Sequence, residues 1–126
     1  MTFVEALKKS ITSSLHAFIF ILGYMLVFQF IGYSLHTFIE DNFILAIIQG
    51  CLEFSSGALS ILKFDSFFVY PCIAFFLSFS GLSVFMQVDN ILEKIPYSFT
   101  KYDKDRFIHG VCSFLLCSLA QYFFIC

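Results

Sequence analysis

Two sets of polar residues sit inside stretches that are otherwise apolar. The first is Gln49, Glu53, Ser56, Ser60 and Lys63, within FILAIIQGCLEFSSGALSILK. The second is Ser80, Ser83, Gln87, Asn90 and Lys94, within FFLSFSGLSVFMQVDNILEK. Steps of three and four residues place each set along one side of a helix. Such groups are costly in hydrocarbon unless they face protein, water or a ligand. Glu53, between Leu52 and Phe54, is the most informative. A desolvated carboxyl can carry a proton, hold a coupling cation or accept hydrogen bonds from a substrate; its plainer role is a pairing with Lys63 or a serine. Gln49 and Gln87 carry donors and acceptors that suit a ligand or a neighbouring helix equally, and Gln49 is placed to share a coupling ion with Glu53.

Each set also holds a Ser-Gly pair, Ser56-Gly57 and Ser80-Gly81, where backbone can bend or unwind. Breaks there would start half-helices at Ala58 and Leu82, whose freed N–H groups and positive dipole ends bind carboxylates and other anions. Ser55, Ser56, Ser80 and Ser83 would then be substrate contacts. The alternative is small-residue packing in continuous helices. Other chemistry has no signal: there is no nucleophile–base pair, phosphate loop, metal-ligand set or dinucleotide fingerprint. The expectation is therefore no enzyme, no cofactor and no metal site. The cysteines, five in number and without a C-x-x-C pair, read as small apolar packing residues. A net charge of -2 with scattered basic residues does not suggest nucleic acid, and no nucleic-acid partner is expected.

The surroundings set the stage for these groups. Of 126 residues, 60% are hydrophobic and 13% charged, against roughly 45–50% and 25% in soluble domains. Twenty Phe in so short a chain call for lipid around them. The fold class expected is all-α and integral to a membrane, one domain over 1–126. Residues 1–13 read as an amphipathic interfacial helix, and 14–38 as a first span with Gln29 its one deep polar group. Gly23, Gly32 and Ser34 offer close-packing points there. Residues 43–62 are either a second span or a re-entrant hairpin. Charge favours the hairpin, since Lys8, Lys9, Lys94, Lys101, Lys104 and Arg106 then share one side, with only Lys63 opposite and the N-terminus cytoplasmic. Residues 66–95 form a broken span with an amphipathic end, and Pro71 suits its first turn. PYSFTKYDKDR reads as a polar loop, and 107–126 as the last span.

The run LEFSSG, then FLSFSGLSVFMQV, then KYDKDRFIHG at the head of the last span resembles the YlbJ family of sporulation integral membrane proteins. The opening EALKKSITSSLHAFIFILGYMLVF is similar to the start of that family's second half. The family resembles the wider nucleoside-recognition or Gate group, which includes concentrative nucleoside transporters, spore maturation proteins A and B and the membrane part of ferrous iron permeases. The resemblance implies one repeat of a nucleoside-transporter-like fold: about three transmembrane helices, a re-entrant hairpin with its tip at Leu52–Gly57, and a broken helix at Ser80–Ser83 with Gln87. It further implies a forespore-associated membrane of a spore-forming bacterium and transport of a small organic anion such as dipicolinate. Members of the family are much longer, and this chain corresponds to the C-terminal half. It departs from them at Gly23-Tyr24 and at Ser80-Gly81, where paired glycines are usual. One repeat cannot build an inverted-repeat site, so the expected partner is a second half-transporter subunit or another copy of the chain, unless the chain is a truncated remnant. A non-transporting scaffold of a sporulation membrane complex and a nucleoside-type permease half are the alternatives.

Overall fold

In a computed structural model, residues 1–93, 95–96 and 98–124 are described; Lys94, at the end of the second polar set, and the last two residues of the 107–126 span lie outside them. The described residues are helical, with no strand. Helix α1 spans Phe3–Ser34 and starts on a capping box: Glu5 N–H donates to Thr2 Oγ1 (3.3 Å) and Thr2 N–H to Glu5 Oε2 (2.9 Å). The separate interfacial helix expected over 1–13 is not separate. Nothing between Lys8 and Ser14 breaks a helix, and Thr12 returns its hydroxyl to the Lys8 carbonyl (2.9 Å), so the polar turns run straight into the apolar span. A 3-10 turn, Leu35–Thr37, closes this element.

Asp41 then caps α2, Asn42–Leu52, by accepting from the N–H groups of Phe43 (2.9 Å) and Ile44 (3.1 Å). Glu53 is extended (φ −144°, ψ 115°), and α3 follows as Phe54–Ile61. The chain doubles back at this point. Ser60 Oγ donates to Gln49 Oε1 (2.9 Å), and a Cβ built at Gly57 would collide with the Cα and N of Gly50. Gly57 is thus the place where two helix backbones touch, and the bend lies earlier, at Glu53. The half-helix expected from Ala58 begins at Phe54 because Glu53 supplies its cap.

Helices α4 (Val69–Phe79) and α5 (Gly81–Ile91) are separated by one residue, Ser80, in the left-handed region at φ 73°. Pro71 lies in the first turn of α4, where its missing N–H leaves no bond unmade. Helix α6 spans Phe99–Phe124. Of the residues expected as a polar loop, 99–106 are its first turns, started by Ser98, whose Oγ accepts from Lys101 N–H (3.3 Å) and whose carbonyl accepts from Tyr102 N–H (3.1 Å).

Helix α6 runs antiparallel along α4 and α5. Phe114 stacks on Phe68 (6.3 Å between centroids), Phe107 meets Phe75 (6.0 Å) and Phe79 (6.2 Å), and Tyr102 meets Phe85 (5.6 Å). Gly110 permits this approach, since a Cβ there would come within 2.9 Å of the Phe75 ring. Ser78 Oγ donates to Ser113 Oγ across the same seam (2.6 Å). Between α4 and the α2–α3 pair lies a small core of Ala46, Ile61, Val69, Cys72 and Phe76, with the Phe76 ring against Gly50.

Three elements are long and apolar enough to cross a membrane: Phe3–Thr37, Val69–Ile91 taken through its break, and Thr100–Phe124. They fit an integral membrane protein, and their apolar surfaces suit contact with lipid. Only 6% of the first and last apolar windows is buried, against 50% of the middle one. The broken element is the inner one.

Candidate functional site

Two breaks, at Glu53 and at Ser80, lie against each other. A Cβ built at Gly81 would stand 3.1 Å from the Leu52 carbonyl oxygen and 3.3 Å from that of Cys51, so the α4–α5 break rests on the last turn of α2. Gly81 has φ 81°, which an L side chain rarely adopts, and this is the reason glycine is required there. The C-terminal carbonyl end of one helix thus faces the N-terminal end of another, a favourable meeting of opposite dipole ends.

Glu53 is 1% exposed and is surrounded by donors. Its Oε1 accepts from Ser55 N–H (3.0 Å) and its Oε2 from Ser56 N–H (2.9 Å). Ser55 Oγ lies 2.8 and 2.7 Å from the two oxygens, and Gln29 Nε2, from α1, lies 3.2 Å from Oε2. Those contacts fill the acceptor positions that a carboxylate has. Burial opposes charge on this group, and the donors favour it. The α3 N-terminus is therefore occupied by the protein's own carboxylate, with Ser55 and Ser56 as its partners, and Gln29 ties the tip to the first span.

The second break is arranged differently. Ser80 (7% exposed) and Ser83 (1%) are buried. The N-termini of α4 and α5 carry no side-chain cap, unlike those of α1, α2 and α3. Gln87 Nε2 donates to Ser83 Oγ (3.3 Å), one turn away. Arg106, from α6, donates through Nη2 to Ser80 Oγ, and its guanidinium lies 6.0 Å from the Tyr102 ring centroid. The Arg106 Nε is buried and has no hydrogen-bond partner among the described residues. A cation and a hydroxyl thus meet at the break, next to a helix N-terminus without a side-chain cap, and the Ser83–Gln87 pair follows one turn on. This combination suits an anionic group.

The first polar set is divided. Glu53, Ser55 and Ser56 close the hairpin tip, whereas Gln49, Ser60 and Lys63 turn to an open groove beside α1. In the second set Ser80, Ser83 and Gln87 are together, and Asn90 is exposed. Arg106 was not among the expected site residues. A cation standing one residue before the apolar run of the last span is the signal that could have found it. No family model, curated protein or solved structure matches this chain.

Proposed function

We propose that this chain is one half of a membrane permease for a small organic anion, completed by a second subunit. The observation that carries the reading is the uncapped N-terminus of α5 beside the Arg106 guanidinium, at the point where the broken helix meets the α2–α3 tip. Discontinuous helices with half-helix N-termini aimed at a carboxylate are how many secondary transporters hold their substrates. In this reading α2 and α3 form a re-entrant hairpin. Each arm of about ten residues would extend roughly 15 Å, half the hydrocarbon thickness. Arg106, Ser80, Ser83 and Gln87 contact the anion. Glu53, with Ser55, Ser56 and Gln29, keeps the hairpin tip rigid behind them, its carboxylate taken up by those donors.

The resemblance to the YlbJ family supplies the candidate substrate, the dianion dipicolinate, and the setting, a membrane of the developing spore with the N-terminus cytoplasmic. The test is dipicolinate entry into proteoliposomes that carry the complex as extracted, followed by luminescence of terbium trapped inside. Flux is expected with the native complex and a fall of about tenfold or more with Arg106→Gln, the size set by losing a charged hydrogen bond to the substrate. Flux unchanged in that variant contradicts the site. No flux from an intact complex favours the scaffold instead.

A further inference from the structure

A groove of about 440 Å³ lies at the other end of the hairpin, away from the breaks. It is lined by Tyr33 and His36 at the end of the first span, Asn42 at the start of α2, Gln49, and Ser60 and Lys63 at the end of α3. Gln49 is 8% exposed and is oriented by the bond from Ser60 to its Oε1 (2.9 Å). That bond, with Gly32 packed against the Gln49 stem at 3.2 Å from a Cβ built on it, fixes which way the amide points. Its Nε2 donates to nothing among the described residues, and Gln49 is part of the groove lining. Lys63 makes no ion pair among the described residues, and no acidic side chain lines the groove. Of the acidic residues next to the lining in sequence, Asp41 has its Oδ1 committed to the α2 cap, and Asp65, two residues after Lys63, is exposed and is not among the lining residues. The wall therefore offers an ammonium, two amides, a phenol and an imidazole, all able to donate and none of them negative.

From this juxtaposition we infer that the groove binds a phosphate ester, with Lys63 and the Gln49 amide as its principal contacts. Tyr33 and His36 at the end of the first span, Asn42 at the start of α2 and Lys63 just past α3 put the mouth of the groove where the chain leaves the hydrocarbon, at the depth of lipid headgroups, with Gln49 deeper inside. The same chemistry would be met by the phosphodiester of an anionic lipid or by a soluble phosphate monoester, and the binding does not depend on the transport reading.

The test is native mass spectrometry of the full complex released from mixed micelles containing phosphatidylglycerol or phosphatidylcholine, with glycerol 1-phosphate as competitor. Wild type is expected to retain phosphatidylglycerol under activation that strips phosphatidylcholine. Lys63→Gln is expected to reduce retention about fivefold or more, as loss of one charged contact predicts, and Gln49→Glu at least as much, since it replaces a donor by a negative charge. Gln49→Glu keeps an oxygen for Ser60 and exchanges the donor for a carboxylate oxygen that repels a phosphate; a Tm within a few degrees of wild type checks that the fold is retained. Displacement of the lipid by glycerol 1-phosphate assigns the site to a soluble ester, and resistance to it assigns the lipid. Equal retention of the two lipids, or unchanged retention in both variants, overturns the proposal.

Discussion

At the scale of single residues, Glu53 shows how a buried charge can be a structural part. Glutamate is not among the preferred N-cap residues, which are Ser, Thr, Asp and Asn. Here its longer arm lets one carboxylate cap α3 and still reach Gln29 on α1. Glu53→Ala would leave two helix N–H groups and the Gln29 amide unpaired in a buried place, a loss of about 2–4 kcal/mol. Glu53→Asp keeps the cap and forfeits the reach to α1, for about 1 kcal/mol. Unfolding of the detergent-solubilised protein by increasing SDS would read both, and an Ala variant as stable as wild type would contradict the cap. The sequence made Glu53 conspicuous but not its partners. Ser55 and Ser56 are adjacent and were nameable, whereas Gln29 lies 24 residues away and Arg106 lies 26 from Ser80. Local pattern carries no information about such pairings.

At the scale of elements, the helix ends divide into those that announce themselves and those that do not. Asp41 and the pair Ser80-Gly81 act through their own backbone and side chains, so a cap and a break were readable there. The early start of α6 was obscured by its charged first turns, although Ser98 was in place as a cap. Gly57 looked like a flexible point and is a contact point instead. Gly57→Ala would drive a methyl group into the Gly50 backbone and open the hairpin, for about 3 kcal/mol. Gly23→Ala is the matching control. Nothing lies within 4 Å of a Cβ there, so a helix-interior alanine should be neutral or stabilising by up to about 1 kcal/mol. The same SDS titration compares them, and equal behaviour of the two variants would contradict the packing of α2 on α3.

At the scale of the whole molecule, membrane residence was legible from apolar length alone, because a span is set by the thickness of the bilayer. What covers α1 and the outer face of α6 was not. The broken element Val69–Ile91 is sheltered on one side by α6 and on the other by α1 and α2, while most of the surface of the two flanking spans is left uncovered. Half of an inverted-repeat permease would look like this, with its anion-facing groups ready and its second wall supplied by another subunit. The native mass of the complex, extracted gently from its own membranes with its components identified, tests this most directly. We predict a particle well above the 14.5 kDa of one chain, containing a second membrane subunit or an antiparallel copy that covers α1 and α6. A lone 14.5 kDa chain would contradict it.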